Sequence, residues 1–191
     1  MIQMGVVSTG SPRRARRNRS ARLIAESLAN SLLDWDNMRK LAIALPIVFA
    51  LHVIEEAPGF VDWFNALVTP PITQQAFNSV NAAGFAITLI VSVVLAASRD
   101  PAAALVGVAW VGFLMLANGL FHVVATVARG HYCPGVVTGV LLYLPLSVLF
   151  VRMAIKERGV APLTAAVVAL AGGIPMYVHG YLIVFRGSRL F

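Results

Sequence analysis

Charged residues are scarce in this sequence. Only 12% of its 191 residues are Asp, Glu, Lys or Arg, whereas soluble domains carry about a quarter. The hydrophobic fraction is 59%, and the mean hydropathy is +0.80. This composition excludes an ordinary soluble domain and predicts a membrane protein with a single folded domain.

Cysteine is nearly absent, and glycine and proline are not enriched. The one cysteine, Cys133, cannot form an intrachain disulfide, which excludes a disulfide-stapled fold. The 15 glycines and 10 prolines are too few for a collagen-like chain, and the many apolar residues exclude a disordered one.

Five stretches are long and apolar enough to cross a bilayer. A hydrocarbon core of about 30 Å is crossed by about 20 helical residues, because backbone polar groups must be paired within it. The stretches lie at about residues 41–57, 80–97, 102–127, 136–153 and 161–185. We therefore predict an all-α, polytopic transmembrane helical bundle of about five spans that occupies residues 41–191.

Residues 1–40 differ from the rest of the chain in their positive charge. Six arginines lie between Arg13 and Arg22, and the following residues show apolar positions at helical spacing. A basic segment beside membrane spans typically binds anionic lipid headgroups, and nucleic acid is the less favoured partner. We predict a basic, amphipathic, interfacial segment that contacts membrane lipids and no nucleic acid. Because no apolar run follows the arginines, we expect no cleaved signal peptide.

The distribution of Lys and Arg predicts the orientation of the spans. With a cytoplasmic N-terminus, twelve of the 15 basic residues face the cytoplasm and three face outside, in agreement with the positive-inside rule. We expect an integral protein of the bacterial cytoplasmic membrane with its N-terminus inside and its C-terminus outside. Cys133 then lies in an external loop, where an impermeant thiol reagent should label it.

The first span carries a polar motif that is costly in hydrocarbon, His52-Val-Ile-Glu55-Glu56. Positions i, i+3 and i+4 share one helical face, so an imidazole and two carboxylates project together. Ionisable groups within a span cost several kcal/mol unless they are paired, bound to metal or wetted by a cavity. The motif therefore predicts a functional cluster, and the alternative is a solvated motif at the membrane interface.

Two further motifs fall at the same depth, in the outer half of the bundle. Asn118 and His122 lie four residues apart on one face of the third span, and the stretch from Tyr132 to Thr138 joins the third span to the fourth. Because the first and third spans both run outward, we expect their polar side chains to meet in one layer. The roles of three other residues stay open, namely His131, Cys133 and His179.

Together these motifs resemble those of the HXXEE family of small integral membrane proteins. They read His-x-x-Glu-Glu, Asn-x-x-x-His and Tyr-x-Pro-Gly-x-x-Thr, and they span residues 52 to 138 in this order. The basic N-terminal segment lies outside the resemblance. The family has no firmly established biochemical function, so the resemblance implies a shared site rather than a reaction.

Histidine and glutamate at these spacings are typical metal ligands. We predict that His52, Glu56 and His122 bind a divalent metal, with zinc preferred and iron possible. Two histidines and a carboxylate suffice for a catalytic zinc that keeps its fourth position open.

The remaining polar residues of the layer are predicted to be catalytic. Glu55 would activate the bound water, while Asn118 or Tyr132 would polarise the substrate carbonyl or stabilise an oxyanion. The predicted function is metal-dependent hydrolysis of an apolar or amphipathic substrate, a lipid or a peptide, near the outer leaflet.

Other functions of the same residues stay open at this point. A di-iron centre would oxidise a lipid, although one Glu/His cluster supplies few ligands for two metals. Without a metal, Glu55 and Glu56 would act as acid and base in cyclisation or isomerisation. The non-enzymatic alternatives are a proton- or metal-binding transporter or sensor, and a structural clasp between helices.

Overall fold

A computed structural model describes residues 37–190, which form a helical bundle without strands. Five long helices are joined by short connections, and one short helix, α2 (Phe60–Asn65), follows the first of them. The long helices are α1 (Asn37–Glu56), α3 (Gln74–Ala97), α4 (Pro101–Arg129), α5 (Val136–Arg158) and α6 (Pro162–Arg186). All five are long and apolar enough to cross a membrane, which confirms the predicted fold class and makes the chain an integral membrane protein.

Several helix boundaries differ from those expected. α3 begins at Gln74 rather than near residue 80, because the Thr73 hydroxyl caps it by accepting the Ala76 N–H at 3.1 Å. The first turns of α3 are polar, so hydropathy alone assigns them to a loop. A helix can nevertheless continue through polar residues where it leaves the membrane. α5 likewise continues to Arg158 rather than to residue 153, because its polar last turn remains helical. The short α2 was not expected.

The interfacial segment predicted for residues 1–40 lies outside the described residues except at its end. Residues 37–40 belong to α1, so the first span begins before residue 41. The start of α1 is held by Glu157 near the end of α5, whose carboxylate accepts the Asn37 side-chain amide and the Met38 N–H, both at 2.9 Å. A carboxylate at a helix N-terminus satisfies donors that have no partner within the helix.

The central helix of the bundle is α4, which has the largest buried share of residues among the five. It packs closely against α6 through small residues. A Cβ atom on Gly112 would lie 2.2 Å from the Ala169 carbonyl oxygen, and one on Gly172 would lie 2.4 Å from that of Ala109. Small residues of this kind allow helices in a membrane to approach with their backbones nearly in contact.

Three of the long helices contain wider π-helical turns, at Gly112–Ala117, Gly139–Tyr143 and Leu182–Arg186. In α5 the turn has a local cause, because Pro145 has no N–H to donate to the carbonyl four residues earlier. The first two wide turns lie beside Asn118 and Thr138, respectively. Such turns are frequent at functional sites because they change the direction in which neighbouring side chains point.

The alternating direction of the long helices defines two ends of the bundle. α1, α4 and α6 finish at one end, where α3 and α5 begin, and we call it the site end. The sequence predicts that the site end faces outward, which remains a prediction.

Candidate metal centre

Three polar side chains from two helices meet near the site end. Glu56 Oε1 lies 3.5 Å from His52 Nε2 on α1 and 3.1 Å from His122 Nε2 on α4. The two imidazole rings are in edge contact, with centroids 4.9 Å apart. The exposed fractions of His52, Glu56 and His122 are 1%, 6% and 0%. The cluster is therefore buried in the bundle and is not a solvated motif at the membrane interface.

The distances in this cluster fit the requirements of a metal ion. The three candidate ligand atoms lie within 4.8 Å of one another, and a tetrahedral zinc with bonds of about 2.0–2.1 Å holds its ligand atoms about 3.3 Å apart. His122 Nε2 is buried and lies 3.1 Å from the Glu56 carboxylate. The separations of 3.1 and 3.5 Å between Glu56 Oε1 and the two imidazole nitrogens are therefore close to those between the ligands of one ion.

The ring of His52 is oriented by a chain of hydrogen bonds. Its Nδ1 lies 2.7 Å from the Thr138 hydroxyl, and that hydroxyl donates to Glu55 Oε2. Because the hydroxyl proton is used on the carboxylate, the Thr138 oxygen accepts from Nδ1–H. Nε2 is then unprotonated and carries the lone pair, which is the tautomer that a metal ligand requires. The Nδ2–H group of Asn118 donates to this lone pair at 3.2 Å, a hydrogen bond that a metal on Nε2 would replace.

The loop after α4 orients His122 in a similar way. Burial raises the pKa of the Cys133 thiol, so the thiol is neutral and donates weakly to the Pro134 carbonyl at 3.8 Å. Its Sγ then accepts from Nδ1 of His122, 3.3 Å away. This arrangement leaves the lone pair of Nε2 directed at Glu56.

The carboxylate of Glu55 turns away from its neighbour Glu56. It accepts five hydrogen bonds, two from Thr138 and one each from the Tyr132 hydroxyl, the Gly135 N–H and the Val137 N–H. The backbone donors belong to the first turn of α5, so Glu55 caps this helix. The bond to Glu55 also raises the pKa of Tyr132 to about 12.

A cavity of about 430 Å³ lies between α1, α3, α4 and α6. His52, Glu56 and Asn118 line it, and most of the remaining wall is apolar. Glu55 and Tyr132 do not line the cavity. Of the predicted site residues, the structure therefore brings together the three candidate ligands and Asn118, while it places Glu55 and Tyr132 behind them.

Two features beside the cluster were missed in the sequence. Tyr143 is fully buried, stacks on His52 with ring centroids 4.1 Å apart, and has no hydrogen-bond partner for its hydroxyl. Aromatic side chains from α2 and α4 cover His122, and the rings of Phe60 and Phe121 contact its imidazole. Neither feature carried a signal, because aromatic residues in an apolar sequence are usually explained by packing.

A five-span helical bundle with a buried His/Glu cluster beside an apolar cavity defines an integral membrane protein with a candidate metal site. The family model described as a protein of unknown function with HXXEE motif matches residues 43–150. The match covers more than half of the chain and all three motifs, and the chain belongs to the HXXEE family. No curated protein and no solved structure matches it.

Proposed function

We propose that the protein is a membrane-embedded, metal-dependent hydrolase that acts on an apolar or amphipathic substrate. The observation that carries the proposal is the convergence of His52 Nε2, His122 Nε2 and Glu56 Oε1 beside an apolar cavity that His52 and Glu56 line. In the tautomers that metal binding requires, the cluster carries the negative charge of Glu56, which is costly in a buried site and favours a bound cation.

Each residue of the cluster has a role in this proposal. His52, Glu56 and His122 hold a divalent metal, for which zinc suits the two nitrogen ligands and one oxygen ligand. When bound, the metal supplies a water of near-neutral pKa and polarises a carbonyl group. Asn118 lines the cavity next to His52, and its amide N–H donates to the substrate carbonyl oxygen as negative charge develops there.

We assign Glu55 and Tyr132 positioning roles, which differ from those that the sequence predicts. The Glu55 carboxylate is occupied by five donors, and neither residue lines the cavity. Through Thr138, Glu55 orients the ring of His52. Tyr132 supports Glu55 in turn. With these two roles the site has no separate carboxylate base, and a bound zinc would itself supply a nucleophile near neutral pH.

A single metal is favoured over a di-iron pair by the number of ligands. Within residues 37–190, one group of His, Cys, Asp and Glu has ligand spacing, and it contains three residues. A di-iron carboxylate site typically uses about six protein ligands from four helices.

Metal analysis of the purified protein tests the proposal. We expect one zinc per chain in the wild type and its loss in His52→Ala, Glu56→Ala and His122→Ala. Asp62→Ala is the matched control, because it removes an exposed acid outside the cluster and should keep the metal. Absence of stoichiometric metal in the wild type would contradict the proposal, and two irons per chain would replace hydrolysis by oxidation.

Glu55→Gln separates a positioning role from that of a base. Outer-shell partners typically change metal affinity by about 10- to 100-fold, so we expect weaker zinc binding in a folded protein. A Glu55→Gln protein that binds zinc as tightly as wild type but has lost turnover would instead identify Glu55 as the base.

A further inference from the structure

The cavity extends well beyond the metal cluster. Its lining runs from Ala76 to Ile87 on α3 and from Trp110 to Phe121 on α4. At 1.5 Å per residue, each of these ranges is about 16 Å long. Ile87 and Trp110 mark the deep end, far from the site end of the bundle. The cluster, which lies near the last turn of α1, therefore leaves a long apolar chamber beneath it.

One positive charge lies at the opposite end of this chamber. Among the described residues that line the cavity, Arg189 is the only lysine or arginine. It follows the end of α6 and is half-buried. The next residue, Leu190, donates its N–H to Nδ1 of His179 at 3.2 Å, and His179 lines the same cavity. This bond holds the segment that carries Arg189 against the cavity at the site end.

The volume of the cavity limits what it can hold. Ligand cavities typically measure about 300–1,000 Å³, and this one, at about 430 Å³, lies in the lower part of that range. It has room for one apolar chain. A guanidinium group at the rim of an apolar cavity recognises a carboxylate or phosphate through paired hydrogen bonds.

We propose that the cavity binds a single-chain amphiphile with its apolar chain beside Trp110 and its anionic head on Arg189. The junction between chain and head then lies opposite His52, Glu56 and Asn118. If the protein is the proposed hydrolase, this inference names single-chain anionic amphiphiles as its substrate class, and that part of the inference rests on the proposed function. The binding itself requires only the cavity and the charge.

Quenching of Trp110 fluorescence tests the proposal in the full chain, reconstituted in phosphatidylcholine nanodiscs. Trp35→Phe and Trp63→Phe leave Trp110 as the only tryptophan. The probes are palmitate brominated near the end of its chain and the matching brominated alcohol. We expect saturable quenching by the acid, its reversal by unlabelled palmitate, and much weaker binding of the alcohol.

Variants of two arginines identify the recognition of the head. Arg189→Gln should weaken binding of the acid about tenfold or more, the usual effect of losing a hydrogen-bonded charge, and should leave binding of the alcohol unchanged. Arg189→Lys should retain part of the affinity. Arg186→Gln is the matched control, since it removes the same charge from an exposed residue outside the cavity, and it should bind the acid like wild type.

The inference would be overturned by absence of saturable quenching, by equal binding of acid and alcohol, or by an Arg189→Gln protein that binds the acid normally. Displacement of the brominated acid by inorganic phosphate alone would also overturn it, because the site would then bind small anions rather than amphiphiles. Metal content is measured on the same samples. Selective binding of the acid by a protein without metal would support the amphiphile site and contradict the hydrolase. A protein that contains zinc but does not bind the acid would support the metal site of the hydrolase and contradict the amphiphile site.

Discussion

Gly135 lies directly against the imidazole ring of His122. A Cβ atom on Gly135 would be 2.6 Å from Cε1 of that ring, and the residue has a φ angle of +99°. Gly135→Ala should therefore displace His122 in addition to straining the backbone. We expect loss of zinc binding and a loss of stability beyond the about 1–2 kcal/mol typical of left-handed backbone strain, measured as metal content and melting temperature.

Gly130 in the same loop provides the control for this prediction. It also has a positive φ angle, +69°, but a Cβ atom there would meet nothing within 4 Å. Gly130→Ala should have only the backbone cost and should keep the metal. If both variants retain zinc equally, the packing of Gly135 on His122 does not position the ligand.

The stability of the loop should depend on pH through Tyr132. Its pKa is raised to about 12 by the hydrogen bond that it donates to Glu55, compared with about 10 in an unfolded chain. The neutral phenol is therefore favoured in the folded protein. Its stabilising contribution is complete below pH about 10 and is lost as the pH rises towards 12.

Comparison with Tyr132→Phe measures this contribution. The wild type should melt at a higher temperature than the variant at neutral pH, and the difference should shrink above pH about 10. A difference that stays constant through this range would mean that the bond to Glu55 does not control the ionisation of Tyr132.

Cys133 should be unreactive in the folded protein, contrary to the exposed thiol that the sequence predicts. Its exposed fraction is 0%, and burial raises its pKa. We expect labelling at least about a hundredfold slower than that of an exposed cysteine, which corresponds to a local opening free energy of about 3 kcal/mol. Gln75→Cys in the Cys133→Ser background is the exposed comparison. Rapid, complete labelling of Cys133 before unfolding would contradict its buried position.

The orientation in the membrane needs other probes than Cys133. In the Cys133→Ser background, Gln75→Cys marks the site end and Ala161→Cys marks the opposite end, and both positions are exposed. The topology predicted by the positive-inside rule assigns twelve of the 15 basic residues to the cytoplasmic side. An impermeant thiol reagent on intact cells should therefore label Gln75→Cys, and should label Ala161→Cys only after permeabilisation. The reverse pattern would invert the topology.

Much of the site was predictable because helix geometry converts spacing in the sequence into direction and depth. Residues four apart share a helical face, which places His52 beside Glu56 and Asn118 beside His122. The antiparallel order of spans then brings the outer halves of α1 and α4 to one depth. The contact between the two imidazoles, with centroids 4.9 Å apart, follows from these two regularities.

The different partners of the Glu55 and Glu56 carboxylates were not predictable from their spacing in the sequence. Neighbouring residues on a helix point about 100° apart, so the partners of each depend on which helix packs on which side. Glu56 faces His122 on α4, while Glu55 faces the N-terminus of α5.

By itself the sequence determined that the chain is a five-span membrane protein of the HXXEE family, because hydropathy, helical periodicity and short motifs are local properties. Only the tertiary structure decided which carboxylate joins the histidines, that Cys133 is buried, and that a cavity connects the cluster to Arg189. These features depend on how the helices pack against one another. Packing brings together residues that are far apart in the chain, and their separation in the sequence does not predict their distance in space.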